Sequence, residues 1–250
     1  MVDLSVEVKL LASAVHSGVF GGPVGDALTA LCRLLATLHT EDGTVAVSGL
    51  RVDSSETPDV EEAAFRAAAG LVPTARLLGR GSINDRRWHQ PALAVIGIDS
   101  PSTGTASSVL LPRARAKLSL RIAPGEHVES AAKALTAHLL EHAPWGAEVT
   151  VTEDGWGEPF AFDATGDVYE LARSVFAEAY SHEAVDVGLG GSIPFIAEFT
   201  RAYPSSTVLV TGVRDPGSRW HGIDESLDLG MWEKACLAEL LLLHGLASKR

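Results

Sequence analysis

The sequence predicts an α+β protein: a four-stranded antiparallel sheet with two helices on one face, followed by a partial α/β segment. Three observations carry this. Val2–Leu10 and Ala114–Ile122 alternate apolar and polar residues, the period of half-buried strands. Residues 24–38 and 128–139 instead repeat apolar side chains every three or four positions, the period of amphipathic helices. Beyond about residue 153 the order becomes helix, strand, helix, strand, helix, which is that of an α/β unit.

In chain order, the first strand sets Val2, Leu4, Val6 and Val8 on one face and Asp3, Ser5, Glu7 and Lys9 on the other. A glycine-rich turn at 18–22 follows. Pro23 then opens a helix whose apolar face is Val24, Ala27, Leu28, Leu31, Leu34, Leu35 and Leu38. Asp42-Gly43 marks a turn. Residues 51–90 are polar and irregular, with a short helix at 59–69, where the acidic pair Glu61-Glu62 suits the positive end of the helix dipole. Ala92–Ile98 reads as a strand. In Ala114–Ile122, Ala116, Leu118, Leu120 and Ile122 oppose Arg115, Lys117, Ser119 and Arg121. A helix at 127–141 carries Val128, Ala132, Leu135 and Leu139, and Glu148–Thr152 is the next strand. The resulting β-α-β-β-α-β order predicts the four-stranded sheet. A domain boundary falls at about residue 153, in the turn Glu153–Gly157, giving domains 1–152 and 153–250.

The second domain is expected to hold a helix at 166–180 capped by Thr165, a strand at 185–189, a helix at 193–202, a strand at 207–212 and a long helix at 229–246. The last is apolar over most of its circumference and is expected to be buried on several sides.

Composition excludes some classes. A net charge of −12 argues against nucleic acid or an anionic membrane as a partner. Cys32 and Cys236 sit inside apolar helical patterns, so buried free thiols in a reducing, cytoplasmic compartment are expected. Asp3 and Glu7 fall where a signal peptide needs an apolar core. The longest apolar region, Leu229–Leu246, is broken by Glu233, Lys234 and Glu239, as in a buried helix and unlike a membrane span.

Chemistry gathers between Asp186 and Glu225. The turn Gly190-Gly191-Ser192 precedes a helix opening at Ile193-Pro194, and free N–H groups at such a start make an anion site. A later loop carries His221, with Glu225 four residues on. Together they suggest a carboxylate-bearing substrate near a metal or a proton transfer.

The motifs Gly190–Phe199, His221–Ser226, His16–Gly22 and Arg113–Arg121 occur in that family's order, and their sequence resembles the carnosinase-like di-zinc metallopeptidases (peptidase family M20), above all its bacterial dipeptidases. The resemblance covers nearly the whole chain. It implies that residues 1–152 are a lid or dimerisation domain and that 153–250 are the carboxy-terminal segment of the catalytic domain. It implies a hydrolase in which two zinc ions activate a water against a peptide or amide bond. It makes His221 a metal ligand and Glu225 a group that steadies that loop. It makes His16 a catalytic donor that reaches a partner subunit's site and stabilises the oxyanion. Arg121 becomes a guanidinium fork for the substrate carboxylate, again in the partner's site. Gly190, Gly191 and Ser192 would hold that carboxylate too.

The family's other ligands come from a His-x-Asp motif, a bridging Asp and a Glu-Glu pair in an amino-terminal half. None of the nine histidines here is followed two residues later by Asp. Glu61-Glu62, the one adjacent Glu pair, is expected on the lid domain as a solvated helix start. The expectation is therefore a homodimer that binds a dipeptide or other small carboxylate but does not hold zinc stably alone. Two rivals stand beside the enzyme reading: a non-catalytic dimerisation or binding module, and one half of a split enzyme whose amino-terminal half lies on a separate chain.

Overall fold

The structure is a computed structural model and describes residues 1–54, 59–188, 194–215, 217–219 and 222–248, the side chains of 194 and 197 excepted. It divides into two compact units. The first comprises Met1–Asp59, Arg76–Ala161 and Gly188–Ala197; the second comprises Val60–Ala75, Phe162–Val187 and Glu198–Arg250.

The first unit begins with strand β1 (Val2–Lys9), followed by a two-residue strand β2 (Val15–His16) and a single helical turn α1 (Ser17–Phe20). Helix α2 (Ala27–Ala36) starts later than Pro23 suggests, because Asp26 caps it. The Asp26 carboxylate accepts from the N–H groups of Leu28 and Thr29 at 2.9 and 3.2 Å, a cap of about 1 kcal/mol. Helix α3 (Glu62–Ala68) belongs to the second unit. Helix α4 (Ile83–Trp88) returns to the first unit and was not anticipated. Its signal was present: Ser82 accepts from Asp85 N–H at 2.9 Å, and Asp59 accepts from Ile83 and Asn84 at 2.9 and 3.0 Å.

Strands β3 (Ala92–Asp99), β4 (Val109–Leu110) and β5 (Arg113–Arg121) come next. Helix α5 (Val128–Glu141) and strand β6 (Glu148–Trp156) complete the unit. The sheet order is β3-β5-β1-β6 and every neighbouring pair is antiparallel, so the chain is α+β as expected. Strand β6 runs past Thr152 because its backbone keeps pairing with β1 as far as Val2↔Trp156. The sheet thus crosses the expected division at 152/153.

Alternation decides which face is covered. Val2, Leu4, Val6 and Val8 of β1 and Ala114, Ala116, Leu118 and Leu120 of β5 are buried. Against them pack Ala27, Ala30, Leu31, Leu34 and Leu38 from α2 and its end, and Val128, Ala131, Ala132, Leu135 and Leu139 from α5. Each such leucine contributes about 1.5–3 kcal/mol by burial. The α2 stripe is thus occupied inside its own core. Cys32 and Cys236 are free and exposed, against expectation. Cys32 follows Leu31 and is therefore turned about 100° off the buried stripe.

A buried histidine joins the two helices. His138 of α5 lies 3.0 Å by Nε2 from Oγ1 of Thr37, the residue that ends α2, and stacks on His142 at 4.1 Å. Burial, and then the neighbouring His142, lower its pKa from the ordinary histidine value. The folded protein therefore binds this proton less readily than the unfolded chain. Stability is complete above the unfolded value and falls as pH drops through it toward the folded one. Urea midpoints at about pH 7.5 and about pH 5.5, on either side of that value, are expected to differ less in His138→Gln than in the parent. An unchanged difference would remove His138 as the cause.

In the second unit, helix α6 (Asp167–Tyr180) packs against the long helix α8 (Leu229–Ser248), with Gly245 close on Leu171. Gly166 precedes α6 at φ 99° and no side chain caps it, so Thr165 does not take the expected role. Arg173 ties the unit together, bonding Asp186 at 2.6 Å, Glu170 at 2.8 Å and the Ala164 carbonyl at 2.6 Å. Helix α7 (Pro194–Ala202) begins at the expected proline. The expected strands at 185–189 and 207–212 do not form among the described residues: a strand exists only by pairing, and neither run finds a backbone ladder. Nor is α8 buried on several sides. Among its described residues only Ala238 is buried, while Leu229, Trp232, Leu237, Leu240 and Leu243 are exposed.

Candidate functional site

His16 stands on a two-stranded ribbon, where β2 pairs with β4 through Val15↔Leu110 and His16↔Val109. Ser17 locks the ribbon by donating its N–H and its hydroxyl to the Ser108 carbonyl, at 2.9 and 3.0 Å. The chain then turns into α1 with His16 as the capping residue, in an extended conformation suited to that position. The His16 side chain folds back so that Nδ1 accepts from the Gly18 N–H at 3.0 Å. An accepting ring nitrogen is unprotonated, so neutral His16 carries its proton on Nε2. The residue is exposed, with Val19 and Phe20 exposed beside it. The arrangement presents an N–H donor outward.

Arg121 ends β5 on the face away from the helices, opposite Ala92 of β3. Two other basic residues of that face lie near carboxylates, Arg113 at 3.9 Å from Glu7 and Lys117 at 3.7 Å from Asp154, while Arg115 is exposed there beside them. Among the described residues no carboxylate pairs with Arg121, and its fork is exposed. It can receive a carboxylate from outside.

His16 and Arg121 stand on different elements of the first unit. The ribbon joins at the beginning of β5, where Leu10 and Leu11 donate to the Pro112 carbonyl, while Arg121 is the last residue of that strand. At about 3.3 Å per residue, the two ends of β5 are roughly 26 Å apart.

Gly190, Gly191, Ser192 and His221 lie outside the described residues. Glu61 and Glu62 fall in the second unit, together with 198–250, and not with the sheet domain as expected. Their carboxylates are engaged locally. Glu61 caps α3 by accepting from Ala64 N–H at 2.6 Å, and backbone N–H bonds hold its pKa below the usual carboxylate range. Glu62 faces Arg66 at 3.7 Å. Among the described residues no three His, Cys, Asp or Glu side chains come together in a metal-binding group. The described residues therefore do not fit a zinc shell of three or four ligands. No helix among them is long and apolar enough to cross a membrane.

Sequence reasoning missed the groups that hold His16, namely Ser17, Gly18 and Ser108. Ser17 and Gly18 were inside the quoted motif, but their contacts depend on a ring orientation that spacing does not encode.

Residues 4–147 match the family model described as the peptidase dimerisation domain. The cysteinylglycine-S-conjugate dipeptidase of Corynebacterium striatum is 32% identical over 249 residues, spanning 97% of this chain and 55% of that protein. Among solved structures, a dipeptidase from Saccharomyces cerevisiae superimposes with a TM-score of 0.82 at 21% identity, over 97% of this chain and 53% of the other. Human carnosine dipeptidase 1 gives 0.79 at 21% identity, over 97% and 54%. The chain spans about half the length of the relatives it matches.

Proposed function

Because this chain belongs to the M20 peptidase family, we propose that it supplies the dimerisation lid and the substrate-holding part of a metallodipeptidase. We place the lid at residues 1–152, with β6 carrying its sheet on to Trp156, and assign the remainder up to 250 to the carboxy-terminal segment of the catalytic domain. The observation that carries this is a pair of exposed groups in the first unit: His16 on the β2–β4 ribbon, with Nδ1 taken by Gly18 N–H and Nε2–H left to donate, and the guanidinium of Arg121 at the end of β5.

Their roles follow from their chemistry. Arg121 takes the terminal carboxylate of a dipeptide through its fork, assisted by the Gly190–Ser192 turn. His16 donates Nε2–H to the carbonyl oxygen as that oxygen gains charge. In this reading a complete site takes groups from both subunits of a homodimer. In the family, zinc supplies the activated water; in this chain His221 is the one residue we assign to metal binding. Relatives described as Cys-Gly metallodipeptidases and as a carnosine dipeptidase support a small dipeptide as substrate.

The test is an NMR titration of the 250-residue chain with a dipeptide. Weak binding is expected, on the millimolar scale typical of a few polar contacts. The amides of Gly191 and Ser192 are expected to shift, and Arg121→Ala is expected to weaken the effect. Shifts confined to the surface around Arg113 and Arg115 would count against the assignment.

A further inference from the structure

We infer that Gly18 is a positioning residue for His16: its N–H fixes the ring so that Nε2–H faces outward, and its missing side chain leaves the ring room to do so. This rests on the reading of His16 as a hydrogen-bond donor.

Two independent features of the structure meet at this residue. The first is the bond itself, Gly18 N–H to His16 Nδ1 at 3.0 Å. It selects the acceptor nitrogen, and with it the tautomer and the direction of the donor. The second is space. A Cβ placed on Gly18 would lie 3.0 Å from Cε1 and 3.2 Å from Nδ1 of His16, close enough that the ring must give way by a few tenths of an ångström. Backbone freedom does not explain the glycine. Gly18 is helical in α1 and is not among the glycines with positive φ, so alanine could adopt its conformation and would favour the helix. Alanine would instead displace the imidazole.

The surroundings are built to make this small contact matter. The His16 backbone is held by pairing with Val109, and Ser17 clamps the Ser108 carbonyl twice. With the main chain fixed on both sides, χ rotation of His16 is the remaining freedom, and the Gly18 bond removes it. A donor that must meet charge developing on one oxygen gains from such fixing, because misplacement by about 1 Å costs on the order of a hundredfold in rate. Gly18 itself touches no substrate in this account.

The experiment uses ¹⁵N-labelled 250-residue chain above the ordinary histidine titration range, at about pH 8. A ¹⁵N–¹⁵N coupling through the hydrogen bond between Gly18 N and His16 Nδ1 is expected in the parent. It is expected to vanish in Gly18→Ala, with an unchanged or slightly raised thermal midpoint. Absence of the coupling in the parent, or its survival in Gly18→Ala, overturns the proposal. A dipeptide titration of the same sample that leaves the His16 Nε2–H signal unmoved while the coupling persists removes the donor reading and leaves the Gly18 contact standing.

Discussion

Replacing Ile98 by aspartate is expected to turn a self-associating chain into a monomer, raising the dimer dissociation constant at least about a hundredfold. Strand β3 is an edge of the sheet. Its residues Val95 and Ile98 sit opposite Leu118 and Ala116, which are buried under the helices, so they belong to the core face. Yet Val95 and Ile98 are 40% and 45% exposed, because the helical cover does not extend over this edge. Between them the register slips, and Ile96 is 56% exposed. A bulge here keeps the edge from pairing indiscriminately while leaving an apolar strip uncovered. A second copy related by a two-fold axis would cover it, and each copy would cover the other with the same residues. Aspartate at 98 costs little in a monomer, where it meets water. In the dimer it places an unpaired charge in the interface twice. Light scattering or sedimentation of the parent and Ile98→Asp at micromolar concentration checks this. A parent that is already monomeric, or a variant that dimerises as well as the parent, would refute it.

The apolar stripe of helix α2 is covered within the chain. Ala27, Leu31, Leu34 and Leu38 face the protein's own sheet, and the exposed strip lies on β3. Periodicity tells which residues share a face; it does not tell whether that face is covered from within the chain or by another copy. The same distinction explains what was legible. The alternation of β1 and β5 and the three-four spacing of α2 and α5 are imposed by burial, so the four-stranded sheet and its two helices follow from the sequence. Helix α4 is set by the local caps Ser82 and Asp59, which a search for apolar periodicity passes over. The runs at 185–189 and 207–212 have strand-like composition, but pairing is a property of two segments and cannot be read from one. For the candidate site, the residue types were visible in the motifs. Their placement, His16 on the β2–β4 ribbon and Arg121 at the end of β5, was not, because it is set by strand pairing and not by distance along the chain.

The largest expected effect concerns zinc. The 250-residue chain alone is expected to retain far less than one zinc ion after dialysis, and to hydrolyse dipeptides no faster than background. Zinc is held by three or four protein ligands, and one imidazole does not outcompete water for it. His221 is the single residue assigned to metal. Glu61 and Glu62 share a compact unit with 198–250, but Glu61 is committed to Ala64 N–H and Glu62 faces Arg66. No histidine is followed at two residues by an aspartate. Without a metal-activated water, a donor at His16 has no developing charge to meet, and the carboxylate-holding groups can bind product without turning it over.

Metal content after dialysis from excess zinc, measured with dipeptide turnover on the same sample, therefore tests the account most directly. The predicted result is a small fraction of a zinc ion per chain, unchanged by His221→Ala, with no turnover above background. Stoichiometric zinc that His221→Ala abolishes, together with clear turnover, would contradict it and show that these residues build a complete metal site of their own.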